Sequence, residues 1–254
     1  MISIIEAIVL GIIQGITEWL PISSSGHLVL LQNFFNVQPP LIFDIMLHIG
    51  SLFVIFIVFF KDIKKLVLGI LKGDKKQIKL FLLLIIATIP IALIGFFFND
   101  LIKNIFNDLR TVGFSLIITS ILLFSTKIKR KKRKLNVKNI FLIGIAQGLA
   151  ILPGVSRSGA TISLGLIQGI EKKEIITLSF LMFIPAILGA LLLEINNVSK
   201  ISNITPLVIG TLTAIITGFF SLRFLIKIIK KNKFHNFGYY CLGLGIIILS
   251  IAYF

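Results

Sequence analysis

The stretch Gln14-Gly15-Ile16-Thr17-Glu18-Trp19-Leu20-Pro21-Ile22-Ser23-Ser24-Ser25-Gly26-His27 puts a carboxylate, three consecutive serines and an imidazole inside an otherwise apolar N-terminal segment. Core packing does not require that density of polar groups. A second interruption, Gln147-Gly148-Leu149-Ala150-Ile151-Leu152-Pro153-Gly154-Val155-Ser156-Arg157-Ser158-Gly159-Ala160-Thr161, lies in the other half of the chain. Each has a proline break followed by serines, so each reads as a helix that stops and a new one that starts on a Ser N-cap.

The surroundings decide what kind of protein holds these stretches. Of 254 residues, 56% are hydrophobic and only 14% charged, and the mean hydropathy is +1.03. A soluble chain of this length has no core large enough for so much apolar surface, so the reading is an all-α polytopic membrane protein. Glu18 and Arg157 then sit in apolar spans, where ionisable groups mark function. The N-terminus lacks a basic region, so a cleaved signal is not expected. The single Cys241 rules out an intrachain disulfide and reads as packing.

The formal charge of +16 would suggest nucleic acid in a soluble protein. Here the basic residues collect in short loops, which is the positive-inside pattern with anionic headgroups as partner; no nucleic acid is expected. Residues 61–79 carry seven lysines, 127–138 eight basic residues and no acid, and Lys227, Lys230, Lys231 and Lys233 form a third cluster. These three loops are expected in the cytoplasm, and 32–40, 99–110 and 194–203 outside. Apolar segments run over 2–31, 41–60, 78–98, 111–126, 139–168, 175–193, 204–226 and 237–254. Charge sidedness puts both ends of 139–168 on one side, and its interrupted thirty residues are too few for two spans of about twenty each. It reads as a re-entrant hairpin, and 2–31, broken at Pro21, as its counterpart.

Gly11-Ile12-Ile13-Gln14-Gly15 aligns with Gly144-Ile145-Ala146-Gln147-Gly148 at a spacing of 133, and the same spacing aligns Ser23, Ser25 and Gly26 with Ser156, Ser158 and Gly159. The chain is therefore expected to be one membrane domain, 1–254, built as an inverted-topology repeat. Residues 1–126 form the first half (hairpin 2–31) and 139–254 the second (hairpin 139–168). Each half is a hairpin plus three transmembrane helices.

Two half-helix N-termini meeting near the midplane present free N–H groups to an anion, and Arg157 adds a planar fork suited to phosphate. Gln14 and Glu18, four apart on one helix face, offer oxygens to a divalent cation. Ser24 and His27, three apart, offer a hydroxyl beside an imidazole. Together these are parts for phosphoryl transfer.

The two motifs resemble the two signatures of the bacitracin-resistance type undecaprenyl-diphosphatases, and the similarity extends over nearly the whole chain, including Phe43-Asp44 and Gly50-Ser51. The resemblance implies an integral membrane enzyme that hydrolyses undecaprenyl diphosphate to the monophosphate with Mg²⁺ or Ca²⁺. That step recycles the lipid carrier for peptidoglycan synthesis, and its overproduction confers bacitracin resistance. It also implies roles by position. Glu18 is the essential carboxylate and Ser24 the nucleophile, with His27 as proton partner or itself the nucleophile. Arg157 grips the diphosphate, helped by Ser156 and Thr161. Where many relatives carry a first Glu, this chain has Gln14, which ligates without adding charge and weakens the metal assignment. The implied location is the bacterial plasma membrane with the site facing outward. The expected partners are a polyprenyl diphosphate lipid, the bilayer and, as an assembly, a homodimer.

Plainer readings compete. Glu18 has the alternative of an interfacial cap, as Glu6 reads. Arg157 has that of an ion pair with Glu18, since an unpaired Arg at the midplane costs about 2.5–3.5 kcal/mol. Such a pair in the empty site is compatible with substrate binding. Ser23, Ser25 and Ser158 weigh toward caps and close packing beside their candidacy for substrate contact. Asp44 and His48, four apart, read as lining or supporting groups. The competing function is an inverted-repeat transporter or flippase of an anionic lipid, but the Ser-His-Glu-Arg set exceeds what anion binding needs. The acid-phosphatase type of lipid phosphatase is rejected, because it needs a further His where Ser163 stands.

Overall fold

A computed structural model describes residues 2–106, 108–128, 131–194 and 203–253, and every described element is helical. Lys129 and Arg130 of the second basic loop, and most of 194–203, lie outside the described residues. The helices are α1 (Ile4–Trp19), α2 (Ser24–Phe34), α3 (Leu41–Val58), α4 (Phe60–Leu71), α5 (Lys75–Phe97), α6 (Asn99–Ile105), α7 (Leu109–Ser125), α8 (Val137–Leu149), α9 (Arg157–Ile167), α10 (Lys172–Glu194), α11 (Ile204–Lys230) and α12 (Phe237–Tyr253). Among the described residues, five stretches are long and apolar enough to cross a membrane: α3, α5, α10, α11, and α12 with the short turn before it. Helix α7, with 17 residues, is at the short end of the spanning range.

Both proline-serine interruptions break the helix as expected. Helix α1 opens on a capping box between Ser3 and Glu6 and ends before Leu20 and Pro21, and α2 restarts on the Ser23 cap. Helix α8 ends before Pro153, and α9 restarts on Ser156, whose side chain accepts from Gly159 N–H. Two segments read as loops are helices instead. Within 61–79, α4 occupies Phe60–Leu71, and within 99–110, α6 occupies Asn99–Ile105. In α4 the lysines alternate with Phe60, Val67, Leu68 and Leu71, and these four apolar side chains are exposed while Leu66 is buried. Such an amphipathic helix beside spans fits a membrane interface.

Two close helix seams hold the bundle. Helix α1 lies on α11 through Gly11 and Gly15: a methyl group on Gly15 would come within 2.6 Å of Ala214 O and 2.7 Å of Gly218 N. Helix α8 lies on α5 through Gly144 and Gly148, where a methyl on Gly144 would meet Ala87 O at 2.5 Å. Small residues of this kind let backbones approach closely where lipid supplies no hydrophobic drive. Between the seams sits an aromatic core, with Trp19 edge-on to Phe180 and Phe183 at centroid distances of 5.5 and 5.6 Å. This core floors the meeting point of the two breaks.

Candidate active site

The breaks touch each other. Gly154 N–H donates to Ser23 Oγ at 3.1 Å, and Ser158 Oγ donates to Trp19 O at 3.1 Å. Ser23 also accepts from Gly26 N–H while its own φ is 67°. A non-glycine residue held in the left-handed region costs free energy, of order 1–3 kcal/mol, that the surroundings must offset. Here the offset is visible: one hydroxyl caps α2 and anchors the second hairpin. Gly154 has φ +96°, and any side chain there would meet Val112 O and Ser115. Thr119 closes the turn, donating to Gly154 O and accepting from Ser156 N–H, each at 3.0 Å.

At this junction the polar side chains converge on Glu18, which is buried. Its Oε1 accepts from Arg157 Nη2 at 2.7 Å. Its Oε2 accepts from Ser24 Oγ at 2.5 Å and from Gln14 Nε2 at 3.1 Å, and lies 3.3 Å from His48 Nε2. Arg157 comes from the other half of the chain, 139 residues away. It also donates to Ser179 O at 3.3 Å and lies 4.1 Å over the Phe183 ring. Thr161 supports that wall, donating to Arg157 O and sharing a 2.6 Å contact with Ser179 Oγ.

The geometry separates the candidates by role. Ser24 is bonded to a carboxylate; His27 is not bonded to Ser24. The His27 ring takes Ser23 O at 2.7 Å through Nδ1 and the Tyr240 hydroxyl at 2.8 Å through Nε2, stacked on Tyr240. Ser24 opens α2 and its side chain turns back over the break, whereas His27 faces α12. Ser23, Ser156 and Ser158 cap or tie the hairpins, and Ser25 contacts Ser23 at 3.2 Å. His48 is the residue that spacing underrated. It stands on α3, its Nδ1 bonded to Asp44 O at 2.8 Å, which aims Nε2 at Glu18. Asp44 itself accepts from Gln32 at 2.8 Å. Gln14 donates on to Ser51 at 3.3 Å, while its Oε1 is buried without a partner.

A buried carboxylate bonded to a serine and gripped by an arginine, beside two helix N-termini, is equipped to bind an anion and to take a proton from a nucleophile. Comparisons with known proteins point the same way. The model of the family described as "Bacitracin resistance protein BacA" matches residues 7–247. The chain is 40% identical to an undecaprenyl-diphosphatase of Korarchaeum cryptofilum over 98% of this chain and 99% of that one. It is 42% identical to one of Carboxydothermus hydrogenoformans, covering 97% and 96%, and 38% identical to one of Halothermothrix orenii, covering 98% of each. With matches spanning nearly the full length of both partners and both motifs in place, the chain belongs to the BacA family of bacitracin resistance proteins.

Proposed function

We propose that this multi-pass membrane protein is an undecaprenyl-diphosphate phosphatase, releasing inorganic phosphate and leaving undecaprenyl phosphate as the reusable lipid carrier. The observation that carries the reading is the 2.5 Å bond from Ser24 Oγ to Glu18 Oε2 beside Arg157. Arg157 exchanges part of its ion pair for the diphosphate oxygens, and Glu18 takes the Ser24 proton as Oγ attacks the terminal phosphorus. The bond from that phosphorus to the bridging oxygen breaks, and undecaprenyl phosphate departs. Its leaving oxygen needs no proton donor, because a phosphate monoester is itself a stable anion with a second pKa of about 6. Water then attacks the phosphoserine phosphorus. The bond from phosphorus to Ser24 Oγ breaks as Glu18 returns its proton to that oxygen, and the protons of the water leave on the inorganic phosphate, so that Ser24 and the Glu18 carboxylate are both restored. His27 orients the start of α2 through Ser23 O rather than attacking.

A divalent cation fits this site as a companion of the substrate. Mg²⁺ is commonly held by one or two protein oxygens plus substrate phosphates. Glu18 and the unpartnered Oε1 of Gln14 would supply the protein share. When bound, the ion neutralises charge building on the phosphates. Among the described residues no group of three or more His, Cys, Asp and Glu is placed to hold a metal, so a cation bound before substrate is not part of the proposal.

The topology belongs to the same reading: two inverted halves, basic loops in the cytoplasm, the site opening outward. Matching seams support it. Gly11 and Gly15 meet α11 at Gly210, Ala214 and Gly218, as Gly144 and Gly148 meet α5 at Ala87, Ile91 and Ile94. The test of function is purified protein in detergent with undecaprenyl or farnesyl diphosphate and Mg²⁺. Phosphate release is expected, with Ser24→Ala lowering kcat by roughly 10³-fold or more and Arg157→Ala by roughly 10²- to 10³-fold. No release by the wild-type protein, with lipid movement across vesicles intact in both variants, would sink the enzyme reading and favour a transporter.

A further inference from the structure

We propose that the cavity at the lysine-rich end of the bundle is a second site, one that binds the headgroup of an anionic phospholipid. The cavity measures about 1090 Å³ and is walled by the ends of α3, α7, α9 and α11, the start of α10 and the turn at Phe234. Its floor is apolar and buried: Phe59, Ile176, Ile229 and Phe234 are at most 6% exposed. Its rim brings together Lys127, Lys132, Lys172, Lys173 and Lys230 from separate parts of the chain, against only Asp62 and Glu171.

Positive-inside topology explains lysines at this end, but it does not explain five of them around one hollow. Among the described residues, neither Asp62 nor Glu171 is within ion-pair distance of these lysines, whose only polar side-chain partners are neutral: Asn232 for Lys172 and the Tyr239 hydroxyl for Lys127. Convergent like charges repel, and an anion in the hollow removes that repulsion. A wet phosphate alone would leave the phenyl and aliphatic floor unused. A lipid satisfies both halves, with its phosphate on the lysines and its glycerol and upper acyl carbons on the floor.

The cavity is separate from the Glu18 site although it shares helices with it. Nine residues of α9 separate Arg157 from Leu166 on the cavity wall, and eleven of α3 separate His48 from Phe59, which is about 13 and 16 Å along the helix axes. The two sites approach most closely on α10, where Thr177 lines the cavity two residues before Ser179. The inference stands whether or not the Glu18 site is a phosphatase.

Native mass spectrometry of the detergent-purified full chain tests it, with phosphatidic acid, phosphatidylcholine and inorganic phosphate as probes. Phosphatidic acid should bind one to one and survive excess inorganic phosphate, with phosphatidylcholine binding far more weakly. The triple variant Lys132→Gln, Lys173→Gln, Lys230→Gln should weaken that binding by about fivefold for each lysine removed. A control triple, Lys75→Gln, Lys76→Gln, Lys79→Gln, removes equal charge from lysines outside the cavity and should bind as wild type, with both variants melting at the wild-type temperature. Equal loss in the two triples would reduce the effect to diffuse surface charge and overturn the proposal. Displacement of the lipid by inorganic phosphate would overturn the lipid assignment, as would equal binding of phosphatidylcholine.

Discussion

Glu18 Oε2 accepts from Ser24 and Gln14 and faces His48, while Oε1 is left to Arg157. In the proposed reaction that division matters, because a base must keep one oxygen aimed at its nucleophile while the substrate competes for the arginine. His48 is the fixed member of the set: its ring is tied to its own helix at Asp44 O and would stay in place as Arg157 turned to the phosphate of the proposed substrate. We therefore expect His48→Ala to lower kcat by about tenfold to a hundredfold, the worth of a buried hydrogen bond to a charged group. KM should change little, because Arg157 and the helix N-termini still hold the diphosphate. His48→Gln keeps a donor near Oε2 and should recover part of the loss. Steady-state kinetics with farnesyl diphosphate decide it; an unchanged kcat in His48→Ala would remove His48 from the machinery.

At the scale of elements, α1 and α8 have to be pressed against their neighbours for the breaks to meet. Gly15 and Gly144 each meet a neighbouring backbone too closely to admit a side chain. A Gly15→Leu or Gly144→Leu side chain would run into the backbone of α11 or α5, and overpacking of this kind typically costs 1–3 kcal/mol. We expect each variant to melt several degrees below wild type in a thermal unfolding assay, whereas Gly189→Leu, at a position with open space around it, should melt near wild type. The glycines, prolines and serines that make these elements were legible in the sequence because each acts locally: proline stops a helix, serine caps one, and spacing carries the pattern. Helix α4 was not, because its lysines masked the exposed Phe60, Val67, Leu68 and Leu71. The Glu18–Arg157 pair was legible because an arginine at membrane depth is costly unpaired and Glu18 is the carboxylate of the other motif. The partnership of His27 with Tyr240, 213 residues apart, leaves no local trace, and neither does that of Gln14 with Ser51. Contacts made by packing alone leave no spacing to read.

The whole molecule joins a site built at two helix breaks to a lysine-rimmed end about 13–16 Å away along α9 and α3. The orientation of that axis in the membrane fixes which leaflet supplies the substrate. The charge clusters argue that Lys75, Lys131 and Lys233 face the cytoplasm, since basic residues near span ends cross poorly. The uncharged turn at 35–40, which follows α2, would then face outward, as the proposed outward opening of the site requires. Replacing Cys241, the one native thiol, by Ser gives a background for single cysteines at Gln38, Lys75 and Lys233. In intact cells a membrane-impermeant maleimide should label Cys at 38 and spare those at 75 and 233, which should react only after the membrane is opened. Labelling of 75 and 233 in intact cells, with 38 protected, would invert the molecule and move the diphosphatase reaction to the cytoplasmic leaflet. Labelling of all three would break the alternation of spans on which the inverted repeat rests.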